Sequence, residues 1–255
     1  MADPFALDGS HALITGASSG LGQHFARRLA EAGARVSLAA RREQELLANV
    51  EEICAARGQA ASVVMDVTDA ASVERALDQA EEAFGPVSVL INNAGVTEAC
   101  AALDVEESGW SRVVDTNLKG VWLTAQRTAR RMVRHRIPGS MVNIASILGL
   151  RVAGGVAPYA ISKAGVIQMT KVLALEWARH GIRVNAIAPG YIETRLNREF
   201  FASPPGLALI KRIPQRRLGE AHELDGALLL LASGASSFMT GSVIAVDGGH
   251  LVSGL

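Results

Sequence analysis

The chain has 255 residues, of which 49% are hydrophobic and 20% are charged, and its formal net charge at pH 7 is zero. This length and hydrophobic content suit a folded domain with a sizeable core and exclude an intrinsically disordered chain. Because no basic excess is available to neutralise a phosphate backbone, we expect no nucleic-acid partner.

The two cysteines, Cys54 and Cys100, lie in neither a CxxC motif nor a His-rich cluster, so we expect no disulfide framework and no metal site. The first ten residues, MADPFALDGS, carry acids and a proline where a signal peptide has an apolar run. No apolar run approaches the roughly 18 residues that cross a membrane. We therefore expect a soluble, cytoplasmic protein with no membrane partner.

Short apolar segments alternate with longer helical patterns along the whole chain. The apolar segments are rich in Val and Ile, as are the strands of a parallel sheet covered on both faces. The predicted strands are His11–Thr15, Arg35–Ala40, Ser62–Val67, Val87–Asn92, Met141–Ser146, Arg183–Ala188 and Val243–Val246. The predicted helices are Gly20–Ala32, Arg42–Arg57, Ala70–Phe84, Trp110–Arg136, Pro158–His180 and Ala221–Ala232.

Repeated βα units of this length predict a doubly wound, Rossmann-type α/β fold, with about seven parallel strands and helices on both faces. No linker or change in composition divides the chain, so we expect one domain over residues 1–255. The segment Thr194–Gly219 is rich in Pro and Arg, which predicts a loop with short helices.

A glycine-rich turn follows the first predicted strand and opens the first predicted helix, in a GxxxGxG spacing. Glycines let the backbone approach a pyrophosphate, whose charge then lies at the helix N-terminus. The alternative is that small residues only allow a strand and a helix to pack closely. The candidate cofactor-binding residues of this turn are Gly16, Ser18, Ser19, Gly20, Leu21 and Gly22.

The second predicted strand ends at Ala40 and is followed by Arg41 and Arg42, where a cofactor lacking a 2′-phosphate would need a carboxylate. Guanidinium groups make charge-assisted, bidentate contacts with phosphate. The pair therefore predicts NADP(H) rather than NAD(H). The alternative is that both arginines only begin a solvated helix.

The third predicted strand ends at Asp66 and Val67, where the Asp66 carboxylate could accept a hydrogen bond from an adenine amino group. The alternative is that Asp66 closes a turn or caps the helix that follows Thr68 and Asp69.

Tyr159 and Lys163 stand one turn apart on the predicted helix Pro158–His180. A neighbouring ammonium favours the phenolate and would lower the pKa of Tyr159 from about 10. The phenol would then exchange protons near neutral pH. A lone YxxxK pair is more often a feature of an ordinary helix, so the interpretation depends on the other motifs.

Further polar motifs fall at the carboxyl ends of predicted strands or in adjacent helices, where open α/β sheets bind ligands. Taken together, the motifs resemble those of the short-chain dehydrogenase/reductase family, in its TGxxxGxG subgroup. The resemblance covers nearly the whole chain and rests on Thr15–Gly22, Asp66, Asn92–Gly95, Asn117, Ser146, Tyr159, Lys163, Pro189–Thr194 and Val246–Gly249.

The resemblance implies four catalytic residues. Tyr159 would be the general acid/base, and Lys163 would lower its pKa and hold the nicotinamide ribose. Ser146 would hydrogen-bond the substrate oxygen, and Asn117 would hold a water in a proton relay. On the cofactor side, it implies that Asn93, Ala94 and Gly95 line the adenosine and that Ile192 and Thr194, after Pro189 and Gly190, position the carboxamide.

In this family an arginine at the position of Arg41 accompanies NADP(H), whereas Ser19 replaces the basic residue that some NADP(H) members carry. The resemblance thus implies an NADP(H)-dependent oxidoreductase acting on a carbonyl or secondary alcohol of a small or medium-sized, apolar substrate. It also implies a homotetramer, and the apolar residues around most of the helix Pro158–His180 favour such a partner.

The expected walls of the substrate pocket are mainly apolar. Arg151 and Glu98 are either charged contacts to the substrate or residues exposed at the rim of the pocket, and we favour the rim. The walls would come from Val96–Glu98, Ile147–Ala157, Tyr191 and Arg195–Arg217. Three alternative functions remain. The first is a 3-oxoacyl-thioester reductase, whose acyl carrier could bind the basic residues between Arg127 and Arg136. The others are an epimerase or dehydratase and a dinucleotide-binding regulatory protein.

Overall fold

The computed structural model describes residues 3–194 and 197–253. Its seven strands form one parallel sheet in the order β3-β2-β1-β4-β5-β6-β7. The strands are β1 (His11–Thr15), β2 (Arg35–Ala40), β3 (Gln59–Val64), β4 (Val89–Asn92), β5 (Gly139–Ile144), β6 (Ile182–Pro189) and β7 (Val243–Val246). This is the doubly wound α/β fold that the sequence predicts.

Nine α-helices connect and cover the strands in the described part of the chain. They are α1 (Gly20–Glu31), α2 (Glu43–Ala55), α3 (Ala70–Phe84), α4 (Glu107–Val114), α5 (Gly120–His135), α6 (Ala157–Trp177), α7 (Arg198–Ala202), α8 (Pro204–Ile210) and α9 (Asp225–Ala232). Helices α1, α2 and α9 pack on one face of the sheet, and α3, α5 and α6 pack on the other. Alternate residues of each strand enter the two cores, as the pleat requires.

The strand order reverses between β1 and β4, which makes a crevice at their carboxyl ends. Thr15, the last residue of β1, closes the floor of this crevice. Its Oγ1 accepts hydrogen bonds from the backbone N–H groups of Asn93 and Ala94, both at 3.0 Å. The crevice is therefore braced directly under the position expected for a dinucleotide.

Two predicted strands extend too far at their carboxyl ends. The predicted strand Ser62–Val67 pairs over Gln59–Val64, and Met141–Ser146 pairs over Gly139–Ile144. Met65, Val67, Ala145 and Ser146, beyond the ladders, are still buried, so hydrophobicity alone could not show where pairing stops. Asp66 and Ser146 consequently lie two residues beyond their strands instead of ending them.

The predicted helix Trp110–Arg136 is three segments. Helix α4 begins earlier, at Glu107, and a π-helical turn over Asp115–Lys119 separates it from α5. The N–H of Gly120 reaches back five residues to the carbonyl of Asp115. This turn adds one residue to the helix and places Asn117 inside the fold.

A chain of buried polar side chains ties α5 and α6 to the centre of the sheet. Thr124 of α5 donates to Asn92 of β4 at 2.9 Å, and Asn92 donates to Asn143 of β5 at 2.9 Å. Asn143 in turn donates to Thr170 of α6 at 2.9 Å. These bonds satisfy polar groups that would otherwise destabilise the core, and they set the height of both helices on the sheet.

Candidate active site

The four predicted catalytic residues come from three elements that meet at the carboxyl end of β5. Ser146 follows β5, Tyr159 and Lys163 lie in the first turns of α6, and Asn117 lies in the π-helical turn. A Cβ atom built on Gly95 would lie 3.3 Å from Asn117 Oδ1 and 3.7 Å from Lys163 Nζ. The glycine thus keeps a narrow space open beside both side chains.

Lys163 is an ammonium group buried in the protein, with 4% of its surface exposed. Its Nζ donates to the carbonyl of Ile144 at 2.7 Å and lies 5.7 Å from the centroid of the Tyr159 ring. Burial lowers the pKa of Lys163 to about 8. The side chain therefore loses its proton more readily than a surface lysine does.

The pKa of Tyr159 shifts opposite to the prediction. Burial raises it, and a hydrogen bond with the Ser146 side chain opposes that rise only in part. The predicted net lowering of this pKa is wrong for this structure, because burial of the phenol outweighs the hydrogen bond that favours the phenolate. The Lys163 ammonium lies near the ring but is bonded to the Ile144 carbonyl. The chain by itself holds Tyr159 as a neutral phenol, which is the form that donates a proton.

Ser146 is oriented by the short turn that follows β5. Its Oγ accepts a hydrogen bond from the N–H of Leu148 at 3.1 Å. A hydroxyl whose oxygen accepts a backbone bond still carries its own hydrogen. Ser146 can therefore donate to an oxygen placed between it and Tyr159.

Asn117 is fully buried, and its amide binds the segment after β4. Its Oδ1 accepts from the N–H of Val96 at 2.8 Å, and its Nδ2 donates to the Val96 carbonyl at 2.8 Å and to Ser162 Oγ at 3.2 Å. Both amide hydrogens are thus used within the chain. The predicted role in a water relay stays a prediction.

The glycine-rich turn fits a pyrophosphate. Gly20, which opens α1, has a left-handed backbone (φ +60°), and a Cβ on Gly22 would lie 2.3 Å from the Gly16 carbonyl oxygen. The N-cap residue Ser19 makes no side-chain capping bond, and the first turn of α1 contains no acidic residue. The N–H groups there face no competing carboxylate, so an anion is favoured at this end of the helix.

Arg42 lies over this turn, where its Nη2 donates to Ser18 Oγ at 2.9 Å and to Ser19 Oγ at 2.8 Å. The same guanidinium is 3.4 Å from Glu45, so both sequence-based interpretations of Arg42 describe part of its environment. Arg41 is exposed beside it. Binding of a ribose 2′-phosphate by Arg41 and Arg42 stays a prediction.

Asp66 closes a turn. Its Oδ1 accepts from the N–H of Thr68 at 2.9 Å and from Thr68 Oγ1 at 2.7 Å. Burial raises the pKa of this carboxyl, but the Thr68 bonds and the Arg41 charge outweigh it and leave the pKa below its usual value. Val67 beside it is buried against Gly120. Adenine binding by Asp66 stays a prediction.

Asn93 joins the two sides of the crevice, since its Nδ2 donates to the carbonyl of Thr15 at 3.0 Å. The segment after β6 is fixed just as closely. The N–H of Gly190, which follows Pro189, donates to the Val246 carbonyl at 2.9 Å, and Ile192 pairs with Gly219. The N–H of Thr194 donates to Asn197 at 2.8 Å. Arg195, where the last predicted pocket wall begins, lies outside the described residues.

Asn49, which the sequence analysis did not identify, supports the inner side of the glycine-rich turn. Asn49 of α2 is 4% exposed, and its Nδ2 donates to the carbonyls of Ala17 at 3.0 Å and Ser18 at 3.3 Å. Gln23 of α1 donates to its Oδ1 at 2.5 Å. The sequence feature that could have identified Asn49 is a polar amide on the apolar face of α2, between the buried Leu46 and Ile53. Asn49 therefore orders the turn without facing its outer side.

Comparison with known proteins agrees with this geometry. The family model described as enoyl-(acyl carrier protein) reductase matches residues 16–250. The chain is 38% identical over 252 residues to gluconate 5-dehydrogenase of Gluconobacter oxydans, and the match covers 98% of each protein. The chain belongs to the short-chain dehydrogenase/reductase family. It is therefore an oxidoreductase, as the sequence predicts.

Two further relatives of this short-chain dehydrogenase/reductase bear on its chemistry. It is 38% identical over 246 residues to 3-oxoacyl-(acyl-carrier-protein) reductase of Thermotoga maritima, covering 96% of this chain and 99% of that protein. A gluconate 5-dehydrogenase from Burkholderia cenocepacia, solved in complex with NADP and tartrate, superposes with a TM-score of 0.95 at 38% identity and 99% coverage of both chains.

Substituting Asn49 by Leu removes both hydrogen bonds to the glycine-rich turn and leaves two carbonyls unpaired. We expect the Kd for NADPH to rise roughly tenfold, about the effect of losing one buried hydrogen bond, with kcat at saturating NADPH little changed. Fluorescence titration with NADPH measures the Kd. The control is Gln44→Leu on the exposed face of the same helix. Wild-type affinity in Asn49→Leu would show that the turn holds its shape without this amide.

Proposed function

We propose that this protein transfers a hydride between NADP(H) and the carbonyl or secondary alcohol of a small or medium-sized substrate. The observation that carries the proposal is the convergence of Ser146, Tyr159, Lys163 and Asn117 beside a glycine-rich turn at the crevice of the sheet. The cofactor, when bound, supplies or takes up the hydride. A solved relative bound to NADP and the cations Arg41 and Arg42 support the choice of cofactor.

The protein residues supply the proton and stabilise the charge on oxygen. In the reducing direction the Ser146 hydroxyl donates a hydrogen bond to the carbonyl oxygen, where negative charge develops. The neutral Tyr159 phenol gives its proton to that oxygen. Lys163 then favours the phenolate until the proton is replaced. In the oxidising direction Tyr159 accepts the proton instead.

A 3-oxoacyl-thioester reductase is the second candidate, supported by the similarity to the Thermotoga maritima enzyme. The basic residues of α5 do not favour it. Arg131 binds Glu74, Asp78 and Glu81 of α3 at 2.7–2.9 Å, and Arg127 lies 3.1 Å from Glu74. Acids of the same chain thus neutralise Arg127 and Arg131, two of the five arginines that would have met an acidic acyl carrier.

The cysteines are consistent with the reducing cytoplasm, where we place the enzyme. Cys54 and Cys100 are both free thiols. In residues 3–194 and 197–253 no helix has the length and apolar character needed to span a bilayer. A small-molecule substrate is the partner that this site requires.

A homotetramer is supported by exposed apolar surface on two separate parts of the fold. The first part is the outer face of α6, where Ile161, Val172 and Leu175 are 51%, 42% and 82% exposed. The second lies by the edge strand β7, where Phe238 is fully exposed. Two self-complementary faces generate a closed tetramer, in which each apolar face is covered by another copy.

We expect light scattering to give four times the chain mass at micromolar concentration. Leu175→Lys places a charge in the proposed α6 interface and should lower the mass to that of a smaller assembly. The control, Leu103→Lys, changes a residue that is fully exposed on a different element and should leave the tetramer intact. A stable wild-type monomer would contradict the proposal.

Tyr159→Phe removes the acidic hydroxyl and keeps the ring. We expect turnover to fall by about 10²–10⁴-fold, the usual contribution of a general acid/base, while the Kd for NADPH stays within a few-fold of wild type. Steady-state assays on a carbonyl found by screening, together with NADPH titration, check both parts. Wild-type turnover in the Phe variant would refute the mechanism.

The double substitution Ala40→Asp with Arg41→Ala should shift preference towards NAD(H). The new carboxylate repels a 2′-phosphate and can bond a free ribose, and one guanidinium contact is lost. Because hydrogen bonds to charged groups contribute about 1.5–3 kcal/mol, the wild type should prefer NADPH by about 10–150-fold. The ratio of kcat/KM for NADPH and NADH, measured at one ionic strength, reports this. A wild type that prefers NADH would refute the assignment.

A further inference from the structure

Arg151 is not the free rim charge that the sequence suggested. It lies five residues after Ser146, is half-buried, and donates from Nη1 to the carbonyl of His250 and to Ser253 Oγ. No carboxylate of residues 3–194 or 197–253 forms an ion pair with it. The other predicted rim charge, Glu98, is paired with Arg112. Arg151 thus differs from Glu98 in having an anchored position and no counter-charge among these residues.

The segment that anchors Arg151 also contacts the substrate side of the site. The ring of His250 is 6% exposed, and its centroid lies 5.4 Å from that of Tyr191. The Nδ1 atom of His250 is buried and has no hydrogen-bond partner among the described residues. Burial raises the pKa of Tyr191, and the charge of Arg151 opposes that rise in part. Arg151 is thus joined through His250 to Tyr191, a predicted wall of the substrate pocket.

The acid in this segment is already occupied. Asp247 accepts hydrogen bonds from the backbone N–H groups of Gly249 and Leu251, so it folds the turn in which His250 lies. Arg212, an exposed residue before Pro214, adds a second positive charge near His250. Arg151 and Arg212 thus place two positive charges near His250, against the one negative charge of Asp247.

We propose that Arg151 binds the carboxylate of a hydroxy-acid substrate and so determines specificity. A guanidinium has five N–H donors in a planar fork, and only the Nη1 edge of Arg151 is used by the chain. The remaining edge suits a carboxylate, which accepts two parallel hydrogen bonds. The polar substrate departs from the apolar one that the sequence analysis expects. The proposal rests on the proposed hydride transfer.

A phosphate could satisfy the same guanidinium, but the position favours a carboxylate. In an acyl-carrier substrate the phosphate is separated from the thioester by a long pantetheine arm. Arg151, in contrast, lies only five residues after Ser146 and is bonded to His250, whose ring packs against Tyr191. A small polyhydroxy acid brings its carboxylate and its reacting carbon within a few bonds. The relatives that act on gluconate, and the tartrate in one solved relative, are consistent with this class.

The experiment compares gluconate with sorbitol, which has the same carbon chain but CH₂OH in place of the carboxylate. Each compound is tested as a substrate with NADP⁺. Each is also tested as a competitive inhibitor of the NADPH-dependent reduction of any carbonyl that the wild type accepts. We expect the wild type to prefer gluconate. The substitution Arg151→Met should lower kcat/KM for gluconate by about 10–100-fold, mainly by raising KM. If gluconate acts only as an inhibitor, its inhibition constant should rise by the same factor. Values for sorbitol should hardly change.

Three further variants separate recognition from packing. Arg151→Lys keeps the charge and should retain part of the preference for gluconate. Ser253→Ala removes an anchor but no charge and should leave the ratio of gluconate to sorbitol unchanged. Arg134→Met removes an exposed charge on α5 and serves as the control. The Kd for NADPH should be the same in all variants.

The two proposals fail in different ways. If the wild type moves no hydride between NADP(H) and any carbonyl or alcohol, the proposed function is wrong. If it does so but binds gluconate no better than sorbitol, or if Arg151→Met weakens both equally, only the assignment of Arg151 is overturned. Preference for a 3-oxoacyl thioester with no effect of gluconate would also overturn it.

Discussion

The active site depends on a row of four buried polar side chains that hydrogen-bond to one another from helix to strand to strand to helix. Thr124, Asn92, Asn143 and Thr170 cross from α5 through two strands to α6. An unpaired buried polar group destabilises a protein by about 1–3 kcal/mol, so each member constrains its neighbour. Sliding either helix along the sheet would break the row. The π-helical turn before α5 and the first turns of α6 carry three of the four catalytic side chains. The row therefore fixes the positions of these side chains relative to the carboxyl ends of the strands.

Much of the fold could be predicted from the sequence because apolar periodicity reflects burial. The bounds of β1, β2, β7 and α3 match the prediction. The carboxyl-terminal bounds predicted for β3 and β5 do not match the structure, because buried residues continue past the last hydrogen bond between the strands. The π-helical turn has no pattern of apolar residues that distinguishes it from an α-helix.

The same limit applies to the site. The motifs placed each candidate at the correct edge of the sheet, because parallel strands bring their carboxyl ends together. They could not show the raised pKa of Tyr159, which comes from three-dimensional burial. Nor could they show the partners of Asn49 and Arg151, which lie far away in the sequence. Local pattern predicts position, whereas the state of a side chain depends on contacts made by folding.

The two halves of the site are built in different ways. The half predicted to bind the cofactor consists of strand ends and helix starts joined by hydrogen bonds, such as that from the N–H of Ala94 to Thr15 Oγ1. The substrate half consists of longer segments, in which α7 and α8 and the residues around His250 are held by a few side chains. Such segments change more easily than the sheet. Relatives equally similar to this chain are accordingly named for gluconate and for acyl-carrier substrates.

The π-helical turn also makes the fold sensitive to chain length at one place. With its additional residue, both Asn117 of the turn and Thr124 of α5 lie inside the fold. A deletion of one residue within Asp115–Lys119 could keep the helix continuous, but an α-helix advances about 100° for each residue. The helical residues after the deletion would rotate about the helix axis relative to those before it. Asn117 and Thr124 could then not both stay buried. Insertions and deletions, rather than substitutions, are therefore the changes that this segment tolerates least.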